Sequence, residues 1–263
     1  MKLDIYKINA FSEKLFKGNP AAVIPLKQWL PNNLMQNIAY ENNLSETAFF
    51  ISSGKGYHIR WFTPKSEVKL CGHATLATAY VVFNILNENS NEIVFDSLSG
   101  KLTVKKIGDK FTLDFPLQKP TECEIPSKLI DGLGKKPIAC YKNEDYLAVY
   151  KKQSDILNIT PDFNILKQLD LRGLIITAPG IEFDFISRFF VPKLGIDEDP
   201  VTGSAHTQLT PYWAKKLNKL KLKAKQVSSR GGVLYCEQKH DRAMITGSSV
   251  LYLKGQINIE QYL

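Results

Sequence analysis

Two turns of the chain combine glycine, other small residues and ionisable side chains just ahead of a helix-like run. The first reads CGHATLATA from residue 71, and the second reads DPVTGSAH from residue 199. The first backbone N–H groups of a helix have no partner within it and carry about half a positive charge. Such an end binds a carboxylate, and glycine lets the ligand approach the backbone. The candidate residues are Cys71, Gly72 and His73 in the first turn and Thr202, Gly203 and Ser204 in the second.

A carboxyl group for proton transfer is offered by Glu46, which lies in the apolar segment SETAFF. A carboxyl in apolar surroundings is expected to have a raised pKa, which suits a proton shuttle working near neutral pH. Local sequence leaves other interpretations open. Glu46 could be an exposed strand residue, His73 a hydrogen-bonded structural histidine, and Asp199, which precedes a proline, a turn former.

The elements that must position these residues occur twice. The hexapeptide RWFTPK at 60–65 is nearly repeated as RFFVPK at 188–193, and each copy precedes one of the glycine-containing turns. Chance similarity between β-rich segments is the alternative, but the small residues that follow also match in order. We therefore predict a duplication in which each half wraps strands around one central helix, with the proline ending the strand before the turn.

Three helices are predicted from apolar spacing. NNLMQNIAYENN, after Pro31, places apolar residues on one side, whereas CGHATLATAYVVFNIL is apolar nearly all round and is expected to be buried on every side. TQLTPYWAKKL continues the second turn as another helix. The proline-rich stretch at 115–126 is predicted to be the crossover between the halves.

Composition excludes several classes of protein. With 263 residues, 44% of them hydrophobic, the chain can bury a large core. It shows no signal peptide and no membrane-length apolar run, so a cytoplasmic location and no membrane partner are expected. The net charge of +8 is densest in KKLNKLKLKAK at 215–225, which we interpret as a solvated helix end running into a strand rather than a nucleic-acid surface. Four cysteines without CxxC spacing indicate neither a zinc site nor a disulfide framework.

Four ordered motifs together resemble the PhzF family, the phenazine-biosynthesis isomerase group. They are FKGNPAAV at 16–23, NLSETAFF at 43–50, RWFTPKSEVKLCGHATLATA at 60–79 and DPVTGSAH at 199–206. The resemblance implies an α+β fold like that of diaminopimelate epimerase. It has two pseudo-symmetric domains, each a barrel-like sheet around a central helix, with the active site between them.

The domain boundaries follow from the crossover. The expected domains are residues 1–117 and 118–263, and the C-terminal strand is a candidate to join the first domain.

The resemblance also implies roles for particular residues. Glu46 corresponds to the general acid/base that moves a proton within the substrate, and His73 and Asp199 to its supporting polar residues. Gly72, Gly203 and Ser204 correspond to the helix-start groups that hold a substrate carboxylate. The founding activity of the family is the isomerisation of trans-2,3-dihydro-3-hydroxyanthranilate, which needs no metal or organic cofactor. A small carboxylate substrate, no cofactor, no metal and a homodimer are therefore expected.

Two alternatives remain at this point. Diaminopimelate epimerases and proline racemases use two cysteines, one from each half, and Cys71 stands where the first thiol is expected. The matching place in the second turn reads Asp-Pro-Val, so a two-thiol epimerase is disfavoured and Cys71 is interpreted as a packing residue. A non-catalytic protein that binds a small carboxylate at the same helix starts is the other alternative.

Overall fold

The computed structural model describes residues 1–54 and 56–260 as a mixed α+β protein with eighteen strands and six α-helices in these ranges. The helix predicted after Pro31 is present, as are the helices that follow the two glycine-containing turns. None of the helices in the described ranges is both long and apolar enough to cross a membrane.

The chain divides into two compact units. The first comprises Met1–Asp114 together with the chain from Thr246 onward, and the second comprises Phe115–Ile245. The domains expected from the sequence were residues 1–117 and 118–263. The last strand belongs to the first unit, because it pairs with the first strand of the chain.

The first unit contains two helices and most of its strands lie before the crossover. Its elements are β1 (Lys2–Ala10), β2 (Asn19–Leu26), α1 (Asn32–Asn42), β3 (Glu46–Ser53), β4 (Gly56–Phe62), β5 (Glu67–Val68), α2 (Gly72–Asn84), β6 (Glu92–Ser97), β7 (Gly100–Ile107), β8 (Lys110–Pro116) and β18 (Ser249–Asn258). The last two residues of β8 already belong to the second unit.

The second unit has four helices. Its elements are β9 (Thr121–Glu122), α3 (Ser127–Leu133), β10 (Ala139–Lys142), β11 (Tyr146–Val149), α4 (Gln153–Leu157), α5 (Phe163–Leu166), β12 (Leu174–Pro179), β13 (Phe185–Val191), β14 (Ile196–Glu198), α6 (Gly203–Leu217), β15 (Lys221–Gln226), β16 (Gly232–Lys239) and β17 (Arg242–Gly247). A 3₁₀ turn, Pro192–Leu194, follows β13, and β17 carries the chain back to the first unit.

The two units repeat one order of strand pairing. In the first, β1–β2 is antiparallel, β2–β3 parallel, β3–β4 antiparallel, β4–β6 parallel and β6–β7 antiparallel. In the second, β10–β11, β11–β12, β12–β13, β13–β15 and β15–β16 follow the same alternation. Parallel neighbours need a crossover connection, and α2 and α6 supply it between β4 and β6 and between β13 and β15. The predicted duplication is confirmed at the level of topology.

The central helix of the first unit is buried on nearly every side, as predicted. Eleven of the thirteen residues of α2 are buried. The helix packs against β1, β2, β3, β7 and β18. Small side chains on α2, such as Ala74, Ala77 and Ala79, are fully buried, and they let the strands approach the helix axis closely. The helix that follows the glycine turn therefore has a fixed position relative to β2 and β3.

The central helix of the second unit contains a proline in its interior. Pro211 has no N–H group to bond to the carbonyl of Thr207, four residues earlier. The backbone N–H of Gln118, in the predicted crossover, donates to that carbonyl at 3.2 Å. Trp213, further along α6, stacks on Phe185 of β13. The lysine-rich run after it ends α6 and enters β15, whose burial alternates, which confirms the predicted helix end and strand.

Candidate active site

A carboxylate, an imidazole, an amide and a thiol meet at the start of α2. Glu46 is the first residue of β3, which pairs in parallel with β2, and Asn19 is the first residue of β2. Cys71 is the N-cap of α2, and His73 is the second helical residue. Glu46 Oε2 lies 3.2 Å from His73 Nε2. The other ring nitrogen, Nδ1, lies 3.2 Å from Asn19 Nδ2 and 3.5 Å from Cys71 Sγ.

The contacts of His73 indicate which ring nitrogen carries the proton. Burial lowers the pKa of His73 to about 3, so the imidazole is neutral near pH 7. The Asn19 amide can only donate through Nδ2, and therefore Nδ1 of His73 accepts. A neutral imidazole that accepts at Nδ1 has its proton on Nε2. The Nε2–H group thus faces the carboxylate of Glu46, although it is not aligned well enough for a regular hydrogen bond.

The Glu46 side chain is not exposed as an outward-facing strand residue would be. Its exposed fraction is 14%, and that of the His73 side chain is 6%. Because the ring is neutral, the 3.2 Å contact joins a carboxyl group to a neutral N–H donor and is not an ion pair. The structure therefore brings the Glu46 and His73 side chains together at the start of α2, next to Gly72.

Asn19 received no role from its sequence, although it lies within the motif FKGNPAAV. The preceding Gly18 has a φ of +72°, and a Cβ atom there would lie 2.2 Å from the carbonyl oxygen of Ala10. No other residue type fits this turn without displacing the backbone. The turn starts β2 at Asn19, whose buried amide then reaches His73. The GNP turn signal locates the turn but does not reveal the contact with a residue 54 positions away.

In the first turn of α2 a threonine side chain bonds to the N-cap carbonyl, and the N-cap side chain itself does not cap the helix. Cys71 makes no side-chain cap to the helix. Thr75 Oγ1 donates to the carbonyl oxygen of Cys71 at 2.5 Å. This bond satisfies a carbonyl group and not one of the initial N–H groups, so the backbone N–H groups at the start of α2 are not occupied by the N-cap side chain.

The second unit has a comparable arrangement at the start of α6. Asp199 is buried, and its carboxylate accepts a hydrogen bond from the hydroxyl of Thr202, the N-cap residue. Thr202 makes no side-chain cap to the helix. The buried amide of Gln226 fixes this turn, since it accepts from the Thr202 N–H at 2.9 Å and donates to the Asp199 carbonyl at 2.8 Å. Gln226 is a second residue that the sequence analysis did not single out.

His206 occupies in α6 the place that Thr75 has in α2. Its Nδ1 lies 2.7 Å from the carbonyl oxygen of Thr202, the N-cap residue, and donates to it. Burial lowers the pKa of His206 to about 4, so this ring is also neutral near pH 7. The ring packs against Phe185. His206 therefore supports the helix start.

Ser204 lies next to Arg172, which forms a bidentate ion pair with the buried carboxylate of Asp145. Arg172 donates to both carboxylate oxygens of Asp145, at 2.9 and 2.5 Å, and its Nη2 lies 3.4 Å from Ser204 Oγ. Asp145 is 1% exposed. The structure thus brings Asp199, Gly203 and Ser204 together at the start of α6, with Arg172 beside them.

Metal-ligand chemistry is limited to one cluster in the described part of the chain. One ligand atom each from Glu46, Cys71 and His73 lie within 4.8 Å of one another. Carboxylate, thiolate and imidazole are the side-chain groups that bind zinc. The carboxyl group can also act without a metal, because a carboxylate is by itself a general acid/base.

Comparison with known proteins matches nearly the whole chain. Residues 8–255 match the family model PhzC-PhzF, described as phenazine biosynthesis-like protein. An uncharacterized isomerase of Pseudomonas aeruginosa is 46% identical over 259 residues, which cover 98% of this chain and 100% of that protein. The crystal structure of a PhzF-family phenazine biosynthesis protein from Enterococcus faecalis has a TM-score of 0.97 at 50% identity and covers 98% of this chain and 100% of that chain.

A more distant structure bears on the fold alone. A predicted epimerase from Pseudomonas aeruginosa has a TM-score of 0.75 at 16% identity, with 97% of this chain and 99% of that chain covered. The α+β, epimerase-like fold expected from the motifs is confirmed by these matches together with the repeated strand order.

Proposed function

The chain belongs to the PhzC-PhzF family of phenazine biosynthesis-like proteins, and from this premise we propose that it is an isomerase that moves a proton within a small carboxylate-bearing metabolite. Glu46 is the proposed general acid/base. An isomerase-type activity agrees with the names of its relatives, whereas the role of Glu46 and the substrate class are our own assignment.

The observation that carries the proposal is the contact of the Glu46 carboxylate with the neutral ring of His73. A proton taken from a substrate carbon has to stay on the base until it is returned at another carbon. His73, whose pKa burial lowers to about 3, does not accept that proton from Glu46 near neutral pH. Its Nε2–H instead faces one carboxylate oxygen at 3.2 Å. The proton therefore remains on Glu46 for redelivery.

The starts of α2 and α6 are the proposed sites for the substrate carboxylate. In neither helix does the N-cap side chain cap the first N–H groups. An anion bound there is stabilised by these donors and by the positive end of the helix. Holding the carboxylate in this way also stabilises negative charge that develops on the substrate when a neighbouring C–H bond breaks. Gly72, Gly203 and Ser204 are assigned this binding role.

The test replaces Glu46 by Gln in the full chain. This change removes the titrating group and nearly preserves the side-chain shape. Wild type and Glu46→Gln are incubated in D2O with a pool of small carboxylate metabolites that includes trans-2,3-dihydro-3-hydroxyanthranilate, and deuterium gain and new isomers are followed by mass spectrometry. We expect a loss of rate of about 10²-fold or more, the usual contribution of a general acid/base.

Glu41→Gln provides a matched control, because Glu41 is exposed on α1 and the substitution makes the same change of charge. This variant is expected to keep the wild-type rate. Thermal unfolding of all three proteins excludes a loss of activity through misfolding. A Glu46→Gln protein that isomerises the substrate at the wild-type rate would refute the assignment. If a metabolite raises the melting temperature but neither wild type nor Glu46→Gln incorporates deuterium into it, a non-catalytic binding protein is favoured instead.

A further inference from the structure

Two of the four cysteines face each other across a pair of antiparallel strands in the second unit. Strand β9 pairs with β10 with Glu122 opposite Tyr141, and the next step of this register places Cys123 opposite Cys140. The backbone N–H of Cys123 donates to the carbonyl of Cys140 at 3.0 Å, which continues the ladder by one residue. Directly opposed residues of a hydrogen-bonded antiparallel pair have Cα atoms about 5.5 Å apart.

The two thiols are in contact. Cys123 Sγ donates to Cys140 Sγ across 3.7 Å. A disulfide requires Cα atoms about 4.4 to 6.8 Å apart, so the backbone already has a suitable spacing and only side-chain rotation has to bring the sulfurs together. Cys123 is partly exposed, whereas Cys140 is buried at 1% exposure. Cys123 is therefore the more accessible residue of the pair.

We propose that Cys123 and Cys140 are a thiol pair that closes to a reversible intramolecular disulfide when the protein meets a small disulfide such as glutathione disulfide. In the first step the Cys123 thiolate attacks one sulfur of the reagent, which forms a mixed disulfide and releases one glutathione thiolate. In the second step the Cys140 thiolate attacks Cys123 Sγ and releases the second glutathione. The protein loses two protons and two electrons, and the reagent is reduced to two thiols.

The bond closes a loop that contains α3. Residues 124–139 lie between the two cysteines. A cross-link of this kind restricts the unfolded chain more than the folded one, because the folded chain already holds the two residues together. The oxidised protein is therefore expected to unfold at a temperature several degrees above that of the reduced protein.

The experiment counts thiols by mass. The full chain is incubated with glutathione disulfide, denatured, alkylated with iodoacetamide and measured as an intact protein. Four alkylated cysteines are expected in the reduced protein and two in the oxidised protein, and digestion is expected to give a peptide pair joined through Cys123 and Cys140. Dithiothreitol is expected to restore four alkylation sites.

Two variants separate this pair from other thiol chemistry. Cys123→Ser is expected to keep all three remaining thiols free, and Cys236→Ala, which changes a buried cysteine elsewhere, is expected to form the same disulfide as wild type. Four alkylated cysteines in wild type after oxidation would overturn the proposal. So would a glutathione adduct on Cys123 that persists without closure, or protection of two cysteines in Cys123→Ser.

Discussion

His73 and His206 are both buried, and neither ring is charged near neutral pH. Their pKa values are lowered by burial to about 3 and about 4, from 6.5 in an unfolded chain. Above pH 6.5 the rings are neutral in both the folded and the unfolded chain, so they do not make the free energy of unfolding depend on pH. Between pH 6.5 and about 4 the unfolded chain binds a proton at each ring and the folded chain does not. The free energy of unfolding therefore falls as the pH falls through this window.

Replacing His206 by threonine is expected to reduce that pH dependence. Thr75 shows that a threonine at the equivalent place of α2 donates to the N-cap carbonyl, so the variant can keep the hydrogen bond. A histidine with such a pKa lowers the free energy of unfolding by up to about 1.4 kcal/mol for each pH unit of acidification. Between pH 6.5 and 4.5 this amounts to about 2 to 3 kcal/mol. We expect the free energy of unfolding, measured with urea, to fall less for His206→Thr than for wild type between pH 6.5 and 4.5. The expected difference between the two declines is about 2 to 3 kcal/mol.

The His206→Thr substitution is also expected to change the free energy of unfolding at pH 7, for a reason unrelated to titration. Threonine is smaller than histidine, so a lower free energy of unfolding at neutral pH is expected from the cavity. Only the difference between pH 6.5 and pH 4.5 reports on the titration of His206. Equal declines in the two proteins would mean that His206 accepts a proton in the folded state.

At the scale of elements, the repeated hexapeptide has a structural explanation. Its arginine forms a bidentate pair with a glutamate of the short strand that follows: Arg60 with Glu67 at 2.7 Å for both bonds, and Arg188 with Glu198 at 2.8 and 2.9 Å. The guanidinium groups also lie over the phenylalanine two residues later, at 5.1 and 4.9 Å from the ring centroids. Each pair fixes the turn that leads into a central helix.

Arg188→Gln is expected to lower the free energy of unfolding by about 2 to 4 kcal/mol. Arg188 and Glu198 are only 13% and 19% exposed, and Arg188 also donates to two backbone carbonyls, those of Ile156 and Ile159. The change leaves a mostly buried carboxylate and two carbonyl groups without their donor. Arg188→Lys is expected to recover little of the loss, because an ammonium group cannot form the bidentate pair. Chemical denaturation measures both effects.

The exposed pair Lys105 and Glu92 is the control for this prediction, since its members are 53% and 47% exposed. Lys105→Gln is expected to change the free energy of unfolding far less than Arg188→Gln does. Adding Glu198→Gln to Arg188→Gln is expected to restore part of the loss, because the double variant no longer buries an unpaired charge. Equal effects of Arg188→Gln and Lys105→Gln would contradict the role of the hexapeptide arginine.

At the scale of the whole molecule, the first unit depends on the C-terminal strand. β18 pairs with β1 from Lys2 opposite Asn258 to Ala10 opposite Ser249, and β1 is also paired on its other side with β2. Without β18, β1 becomes an edge strand and the face of α2 that packs on β18 becomes exposed.

A chain that ends at Gly247 is therefore expected to lose the cooperative unfolding of its first unit. Circular dichroism and differential scanning calorimetry of the truncated and full-length proteins measure this directly. Unchanged cooperative unfolding without β18 would show that the strand is dispensable.

The sequence by itself determined the features that depend on local pattern. The buried helix α2, the helix α1 and the duplication followed from apolar spacing and from two similar hexapeptides, because residues adjacent along the chain set these signals. The α+β class followed from the resemblance of four ordered motifs to the PhzF family. Glu46, His73 and Asp199 were named from their chemical types and from ordered motifs. Their catalytic roles remain predictions, whereas the burial of His73 and Asp199 and the partial burial of Glu46 are observed.

Only the tertiary structure decided which distant side chains meet. Asn19 reaches His73 across 54 positions, and Gln226 holds the turn of Asp199 although it lies 27 positions away. Cys123 and Cys140 become neighbours through the register of two strands. No local pattern records such contacts, because strand pairing joins segments whose separation along the chain is set by the intervening loops and helices. The neutral state of His73 has the same origin, since its pKa depends on burial by strands that follow and precede it in the chain.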